Sequence, residues 1–582
     1  MPDYTPPLAD LEFVIGRIAD LASVTELNGF GHVDLETVNG VLAEAGRFFA
    51  EVIAPTNLPG DQQGSRLVDG AVVTPDGFQE AYATYLAAGW AGVHLPEEWG
   101  GGGMPLVVGM GVHEMFKSSN LAMSLCTMLT QASIDAIAAH GSDEQRERYL
   151  HKLVTGEWSG TMCLTEPHAG SDVGALTTKA EPESDGTYRI SGQKIFITWG
   201  DQDLTENIIH LVLARTPGSA PGTKGISLFG VPKFSESGLR NSYEIVSLEH
   251  KLGIHASPTC VIDFDGAVGH LIGEEQQGMR YMFTMMNIAR IEVGAEGLAV
   301  GERAYQHALA HARERPQGRA VGAEPGTTSL IIEHPDVRRM LLTMRANLDA
   351  MRALLYVTAA GVDHSRHGTD DATRTFHSER VALLTPIVKA WLTDRGVEIA
   401  STGIQVHGGM GYVEETGAAQ FFRDIRISPI YEGTNGIQAI DLVLRKVPLS
   451  DGAAVASLFA EIDESVRWLA EVAADLAAPL TAALGAGRET TEWLQGRLEE
   501  AEYDDALAGA TPYLDLMGTL AGGWLMARSW LEADRMLEAD EGDPDFLTTK
   551  KATASFYLTQ LLPKANGLVP AVTAGSQPLA AF

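Results

Sequence analysis

The spacing of hydrophobic residues changes along the chain and separates helical parts from a sheet-forming part. Up to about residue 155, apolar residues recur at helical spacing, most clearly over 121–139. Over 157–275 the period becomes two, in short β-rich runs separated by Gly, Pro, Asp and Ser. Helical spacing then returns in two long amphipathic stretches, 279–311 and 337–364. The pattern predicts helices, a sheet, and helices again.

The sheet-forming part predicts several short strands. The β-rich runs lie at 188–192, 194–198, 208–214, 225–231, 243–248 and 259–264. Short runs with turn residues between them are typical of antiparallel strands. We therefore expect a mostly antiparallel β-domain inserted between helical domains.

A last helical block follows the Pro- and Gly-bearing segment 446–452, which is the predicted boundary. Residues 453–582 are rich in Ala and Leu and offer few polar residues suited to chemistry. Its more distinctive side chains are expected to be caps and core: Ser465, Trp468, Trp493, Tyr513 and Trp524. The chain is thus predicted to be an α+β protein with an N-terminal helical domain (1–156), a middle β-domain (157–276), a helical bundle domain (277–447) and a C-terminal helical extension (448–582).

Charge narrows the classes of partner. The 582 residues are 45% hydrophobic, which is ample for a large core, and carry a formal net charge of -34 with a sequence pI of about 4.8. Such a chain repels nucleic acid and anionic membrane surfaces. We expect no nucleic-acid partner and no membrane insertion.

Cysteine usage and the start of the chain indicate the compartment. Cys126, Cys163 and Cys260 are widely spaced and form no Cys-x-x-Cys pair, which argues against a disulfide framework and a structural zinc site. We expect no metal. The first residues lack a basic region followed by an apolar core, so no signal peptide is predicted. No stretch approaches the roughly 20 uninterrupted apolar residues that span a bilayer. These features predict a soluble, cytoplasmic protein.

One carboxylate is a candidate general base. Glu432 precedes a Gly-Thr-Asn-Gly turn, residues 433–436. Glycine removes the Cβ that would keep a planar ligand away from the backbone, so such a turn suits a base beside a flat substrate or cofactor. Taken alone, a Glu before a glycine turn is more often a solvated helix end. Two further motifs change that balance.

The further motifs are Thr165-Glu166-Pro167 with Ala169-Gly170-Ser171-Asp172, and the strand residues 194–198. In this order, with the turn at Glu432, they resemble the acyl-CoA dehydrogenase family over roughly residues 40–445. The resemblance implies that family's fold: an N-terminal helical domain, a middle β-domain and a C-terminal four-helix bundle, here with an extra C-terminal helical domain. It also implies FAD as cofactor.

The resemblance assigns cofactor contacts. The backbone at Leu164 and the hydroxyl of Thr165 would meet the flavin N1/O2 side, Thr198 would bond near N5, and Phe196 would flank the ring where the family commonly has Trp. Arg315 would reach FAD across a subunit contact. The implied FAD-binding set is Met162, Leu164, Thr165, Gly170, Ser171, Phe196, Thr198, Arg315, Gln317, His334, Gln405, Gly408, Gly409, Thr434 and Gly436.

Besides Phe196, two positions depart from the family pattern. His168 stands where the family usually has Gly, and Trp199 replaces an Asn that is usual in many relatives, so the wall of the site would differ there. A third position decides between bases. Some branches carry the base as a Glu immediately before Arg290, but this chain has Ala289, which leaves Glu432.

The implied reaction is α,β-dehydrogenation of an acyl-CoA to the trans-2-enoyl-CoA. Glu432 would take the α-proton, the β-hydrogen would leave as hydride to flavin N5, and the Glu432 N–H with a ribityl hydroxyl would bind the thioester carbonyl. The implied substrate residues are Ser171, Thr216, Asn287, Arg290 and Gly433.

Segments 1–7 and 251–258, with the C-terminal block, resemble one branch of the family. It contains 3-methylmercaptopropionyl-CoA dehydrogenases and bacterial fatty acyl-CoA dehydrogenases. The branch implies a homodimer or dimer of dimers, with an electron-transferring flavoprotein as acceptor. Alternatives are an acyl-CoA oxidase that passes electrons to oxygen, and a catalytically silent flavoprotein of the same fold; a nitroalkane oxidase would be expected to carry Asp at the base.

Overall fold

The computed structural model describes residues 4–581. Met1, Pro2 and Asp3 of the segment 1–7, and Phe582 at the end of the predicted C-terminal extension, lie outside the described residues. The backbone of the described residues falls into two compact units. We call residues 47–104 with 119–292 the sheet unit, and the described residues of 1–46, 105–118 and 293–582 the helical unit. The predicted division into four domains stays a prediction.

Helices dominate the described residues. The α-helices are α1 (Leu8–Phe13), α2 (Leu21–Thr25), α3 (Leu35–Phe48), α4 (Asn57–Gln63), α5 (Phe78–Ala87), α6 (Leu106–Ser119), α7 (Leu121–His140), α8 (Asp143–Val154), α9 (Gly278–Glu314), α10 (Pro335–His367), α11 (Asp371–His407), α12 (Ala418–Ile425), α13 (Asn435–Asp441), α14 (Ala453–Val472), α15 (Ala474–Glu499), α16 (Tyr503–Ala508), α17 (Ala510–Glu538), α18 (Pro544–Phe556) and α19 (Lys564–Thr573). Short π-helical and 3₁₀ turns connect several of them.

The strands lie in the sheet unit. They are β1 (Arg66–Val68), β2 (Ala71–Val73), β3 (Trp158–Cys163), β4 (Lys179–Pro182), β5 (Tyr188–Thr198), β6 (Asn207–Ala214), β7 (Ser227–Pro232), β8 (Tyr243–Leu248) and β9 (Thr259–Ile272). The hairpin β1–β2 falls in the region predicted to be helical, and β9 extends well beyond its predicted end at residue 264. Three residues per strand are too few for the period of two to stand out, which is why the hairpin was missed.

The main sheet has seven strands in the order β3-β6-β7-β9-β5-β4, with β8 also paired to β9. Every pair is antiparallel except β3 with β6, so the prediction of a mostly antiparallel sheet is confirmed. β6 and β7 are buried along their whole length, and a cluster of apolar residues from all seven strands of this sheet and from β2 forms the core. This core fixes the ends of β3 and β5, where two of the sequence motifs lie.

In the helical unit, glycines allow the long helices to cross closely. A Cβ at Gly297 of α9 would lie 2.2 Å from the carbonyl oxygen of Leu392 on α11, and Gly396 of α11 faces Gly297 in turn. Such a close crossing excludes any larger residue. The crossing places the part of α9 that follows residue 293 directly against α11. These two helices support the Glu432 turn.

The C-terminal block is helical, as predicted, and packs within the helical unit. Ser465, Tyr513 and Trp524 are buried, and the Trp524 indole donates to Ser465 Oγ at 3.1 Å. Trp493 is half-buried, but Trp468 is 52% exposed, so its prediction as a core residue is wrong. It lies on the outer face of α14 together with the exposed Val472, one helical turn further on.

Among residues 4–581, one helix, α7, is long and apolar enough to cross a membrane by length and composition. Its apolar window is 89% buried inside the protein, as expected of a core helix.

The next helix, α8, begins at a capping box, in which Ser142 Oγ accepts from the Gln145 N–H and the Gln145 side chain accepts from the Ser142 N–H. The order of helices, sheet, helices and a further helical block is therefore as predicted.

Candidate active site

The turn that follows β3 is held by a buried carboxylate, Glu166. Its Oε1 accepts from Lys194 Nζ at 2.8 Å and from Thr178 Oγ1 at 2.5 Å, and its Oε2 accepts from the Thr177 N–H at 2.7 Å and hydroxyl at 2.9 Å. Burial by itself would raise the pKa of Glu166, but Lys194 and these hydrogen bonds lower it to about 2. Glu166 is therefore ionised at neutral pH and fixes the turn.

The same contacts bring the two motifs of the sheet unit together. Lys194 Nζ donates to the carbonyl of Leu164 at 2.9 Å, and the Ile195 N–H donates to the carbonyl of Thr165 at 2.9 Å. Met162 is buried at the end of β3, whereas Leu164 and Thr165 are partly exposed. The end of β3 and the second half of β5 thus form one surface, as the prediction of a shared ligand requires.

β5 is irregular at Phe196. The register with β9 shifts between Lys194 and Ile197, and Phe196 has a left-handed φ of 58°. Regular alternation, which would place Phe196 and Thr198 on one face of the strand, therefore fails at this bulge. A bulge re-aims the side chains beside it: Phe196 is 58% exposed and Thr198 partly exposed, while Ile197 enters the core. An exposed ring at a bulge suits the wall of a planar ligand's site.

Both departures from the family pattern have structural roles. Trp199 is fully buried, and its indole N–H donates to the carbonyl of Ala122 on α7 at 3.0 Å. It is therefore a core residue, and the expectation that the wall of the site differs at this position stays a prediction. His168 is exposed, and its Nε2 lies 3.3 Å from the Ala175 carbonyl and 3.7 Å from a Glu166 carboxylate oxygen.

The other predicted residues of the sheet unit differ in accessibility. Gly170 and Ser171 are exposed, and a Cβ at Gly170 would meet nothing within 4 Å. Asn287 is exposed on α9, and Arg290 is buried. Thr216 is also buried, and its hydroxyl donates to a carboxylate, that of Glu275, at 3.0 Å. The Thr216 hydroxyl is therefore already engaged, and its role as a substrate contact stays a prediction.

In the helical unit, the predicted base Glu432 lies in a restrained turn before α13. Glu432 has a left-handed φ of 55°, and Gly433 follows with 86°. The buried amide of Gln438 donates to both of their carbonyls, at 3.4 and 3.2 Å. Thr434 caps α13, because its Oγ1 accepts from the Ile437 N–H at 3.2 Å. α13 therefore holds the backbone from which the half-buried Glu432 side chain projects.

A buried carboxylate on α9 fixes the residues before Glu432. Glu296 is fully buried and accepts from Ser428 Oγ at 2.5 Å and from the Tyr431 hydroxyl at 2.6 Å. Burial raises the pKa of Glu296 to about 7, against the opposing effect of the two hydroxyl donors and of the Lys117 and Lys389 ammonium groups. The carboxyl group therefore changes charge near neutral pH.

A second set of contacts fixes Asn435, which follows the glycine and threonine of the turn. Asn435 Oδ1 accepts from Lys389 Nζ at 2.9 Å, and its Nδ2 donates to Asp394 at 2.8 Å, to Thr393 Oγ1 at 3.0 Å and to the Ala390 carbonyl at 3.1 Å. All four partners lie on α11. The turn is thus tied to α9 at its start and to α11 at its end.

Arg315, Gln317 and His334 meet at the base of the loop between α9 and α10. His334 Nε2 donates to the Gln317 carbonyl at 2.9 Å, and the Ile331 N–H donates to the Arg315 carbonyl at 2.8 Å. The Arg315 side chain is exposed and makes no hydrogen bond or ion pair with another residue in the range 4–581. An open guanidinium suits an anionic group such as a pyrophosphate.

The glycines after α11 leave the backbone open. Gly408 has a φ of 63°, and a Cβ at Gly408 or Gly409 would meet nothing within 4 Å. Gln405, one turn earlier on α11, is exposed, and so is Gly436 at the start of α13. Bare backbone of this kind lets a ligand approach closely.

Three supporting residues were not predicted: Glu166, Glu296 and Asn435. Glu166 and Asn435 stand inside the motifs, so their sequence position was an available signal. Glu296 offered only one hint, a lone carboxylate between small residues of a helix, Ala295 and Gly297. A charge that cannot face water there needs a buried partner.

Four family models match the chain in order. They are described as acyl-CoA dehydrogenase N-terminal domain (residues 39–157), middle domain (161–267) and C-terminal domain (276–447), and acetyl-CoA dehydrogenase C-terminal like (458–582). A 3-methylmercaptopropionyl-CoA dehydrogenase of Ruegeria pomeroyi is 46% identical over 571 residues, 96% of each chain. The chain belongs to the acyl-CoA dehydrogenase family.

Solved structures share the fold at low identity. Caenorhabditis elegans ACDH-11 in complex with C11-CoA has a TM-score of 0.80 and 19% identity, with 100% of this chain and 95% of that chain covered. An acyl-CoA dehydrogenase complexed with FAD from Bacillus anthracis has a TM-score of 0.74 and 20% identity, with 96% and 90% covered. Both match the extra C-terminal block as well as the preceding domains.

Family membership confirms the predicted enzyme class, an oxidoreductase acting on the CH–CH bond of an acyl-CoA, and FAD as cofactor. The donor set of this acyl-CoA dehydrogenase fits that cofactor. Thr165 and Thr198 offer partly exposed hydroxyls, Arg315 an open guanidinium, and Gly408 and Gly409 bare backbone. The assignment of individual residues stays a prediction.

The Glu166–Lys194 pair gives a first testable prediction. In Glu166→Gln the fully buried Lys194 ammonium loses its counter-charge, which costs about 3–5 kcal/mol. We expect a lower melting temperature and release of FAD at lower temperature, measured by flavin fluorescence during heating. The control is Glu183→Gln, whose partner Arg189 lies at 3.2 Å with both side chains nearly half exposed; it should cost at most about 1 kcal/mol. Equal melting curves for the two variants would contradict the prediction.

Proposed function

We propose that the protein oxidises a saturated acyl-CoA to the trans-2-enoyl-CoA with Glu432 as the base. The observation that carries this proposal is the restrained turn, which holds a half-buried carboxylate on a left-handed residue beside glycine. Residues held in sparsely populated backbone regions cluster at active sites, where the surrounding structure over-determines them. No such restraint is needed for a solvated helix end.

Each residue has a defined task in the proposed reaction. Glu432 removes the α-proton, and its own backbone N–H donates to the thioester carbonyl, on which negative charge develops. Bound FAD supplies the hydride acceptor for the β-hydrogen at N5. Thr165 and Thr198 orient the cofactor by hydrogen bonds, and Phe196 packs against it. Arg290, Asn287, Ser171 and Gly433 line the substrate side, and Thr216 contributes only if it exchanges its bond with Glu275.

The proposed assembly and acceptor follow the family. A homodimer or dimer of dimers would let Arg315 of one subunit reach the FAD of the next, consistent with a guanidinium that has no partner among residues 4–581. The electron acceptor is proposed to be an electron-transferring flavoprotein, in a cytoplasmic setting.

The test is anaerobic mixing of the purified protein with a panel of acyl-CoA thioesters. The panel contains butyryl-CoA, longer straight-chain acyl-CoAs and 3-methylmercaptopropionyl-CoA. At least one should bleach the oxidised flavin and yield its 2-enoyl product by mass spectrometry. Turnover in air without a dye should consume little oxygen. Stoichiometric peroxide at the rate of dye reduction would identify an oxidase instead, and no bleaching with any thioester would refute the proposed activity.

A further inference from the structure

The geometry of the Glu432 turn is costly and needs an external support. A non-glycine residue in the left-handed region costs about 1–2 kcal/mol, and Glu432 has a φ of 55°. Contacts within α13 restrain the carbonyls of the turn, but they leave the residue before Glu432 to other elements. That residue is Tyr431, and its hydroxyl bonds to Glu296.

The hydrogen bond between Tyr431 and Glu296 is short, and the tyrosine hydroxyl is its donor. Both hydroxyls, those of Ser428 and Tyr431, donate to the Glu296 carboxylate, at 2.5 and 2.6 Å. Distances of this size are typical of charge-assisted O–H···O bonds, which are roughly twice as strong as neutral ones. Together these bonds fix both ends of residues 428–431 to one carboxylate on α9.

Tyr431 also links Glu296 to the proposed base electrostatically. Burial raises the pKa of the Tyr431 phenol well above its usual value, and the negative charges of Glu296 and Glu432 raise it further. The other charged groups that act on Glu296 are Lys117 on α6 and Lys389 on α11. Lys389 in turn donates to Asn435 at the far end of the turn. The turn that carries the base is therefore tied to the buried Glu296 at its start and, through Asn435, to the buried Lys389 at its end.

We propose that Glu296 is a positioning residue for the reaction: through Tyr431 and Ser428 it fixes the backbone of Glu432, so that the carboxylate meets the α-hydrogen of the acyl chain. The inference rests on the proposed role of Glu432 as base. A displacement of about 1 Å at a reacting group can cost about 100-fold in rate, so a support that acts on the base only through Tyr431 and Ser428 still matters.

The test compares two tyrosine-to-phenylalanine variants. Tyr431→Phe removes the hydroxyl that bonds to Glu296, while Tyr356→Phe removes another hydroxyl that donates to a buried carboxylate, Glu114, at 2.8 Å. Each variant loses a tyrosine hydroxyl that donates to a buried carboxylate of the helical unit; the Tyr356 bond is buried and the Tyr431 bond partly buried. Glu296→Gln and Glu296→Ala complete the series, because Gln keeps one acceptor oxygen and Ala keeps none.

The readouts separate positioning from folding. For each variant we would measure FAD content, the dissociation constant for the thioester that best reduces the wild-type flavin, and the anaerobic reduction rate with that thioester deuterated at C2 or at C3. Tyr431→Phe and Glu296→Ala should reduce about 10–100-fold more slowly at unchanged affinity and FAD content. The C2 isotope effect should rise relative to the C3 effect, since only proton removal has become harder. Glu296→Gln should retain more of the rate than Glu296→Ala.

Tyr431→Phe indistinguishable from Tyr356→Phe would overturn the inference. So would slow reduction with an unchanged ratio of the two isotope effects, which indicates a structural role only. If Glu296→Ala fails to fold, Tyr431→Phe still decides. Failure of the proposed function itself is recognised separately, because Glu432→Gln would then reduce its flavin like the wild type.

Discussion

Glu432→Gln should fold and bind FAD, but its flavin should be reduced by acyl-CoA about 100–10,000-fold more slowly. This is the usual contribution of a positioned general base. The substitution keeps the shape of the side chain and the left-handed backbone at φ 55°, so the turn and its supports should persist. What it removes is the carboxylate that takes the α-proton. Ala289 at the alternative position leaves no second base there to replace it.

The measurement is anaerobic stopped-flow mixing with the thioester that the wild type reduces fastest. The control is Glu464→Gln, which changes an exposed carboxylate on α14 and should reduce at the wild-type rate. FAD content and melting temperature should match the wild type in both variants. Wild-type-like reduction by Glu432→Gln would show that another group removes the proton.

The fold and the motifs could be predicted from the sequence because both are local in the chain. Helical period, strand period and turn residues give the order of elements, and the turn at Glu432 is one short run of residues. The hairpin β1–β2 was too short for its period to register. The bulge at Phe196 was not predicted because it arises from the pairing of β5 with β9, which the sequence of β5 alone does not encode.

The supports of the site could not be predicted, since each joins residues far apart in the chain. Glu166 meets Lys194 across 28 positions, and Glu296 meets Tyr431 across 135. A single carboxylate in a helix gives no indication of which hydroxyl it will face. Trp468 illustrates the same limit: it was expected to belong to the caps and core of the block, but the packing of α14 leaves it 52% exposed.

Deleting residues 453–582 should give aggregation or a smaller oligomer. The block is part of the packing of the helical unit. α17 is buried along most of its length, and a Cβ at Gly518 would lie 2.3 Å from the Trp391 ring on α11. Arg380 pairs with Glu461 at 2.8 Å. Removing the block would expose the apolar face of α11 and leave Arg380, which is mostly buried, without its counter-charge.

Deleting the block should also disturb the Glu432 turn, because α11 carries the residues that hold Asn435. We therefore expect the truncated protein to lose FAD and acyl-CoA reduction along with solubility, measured by size-exclusion chromatography, thermal melting and flavin bleaching. A milder pair tests the same interface in the full chain. Gly518→Ala should overpack Trp391 at a cost of about 1–3 kcal/mol, whereas Gly485→Ala, a helical glycine with nothing within 4 Å, should be neutral or stabilising. A soluble truncated protein with unchanged oligomer, melting temperature and acyl-CoA preference would mean that the block is an independent module.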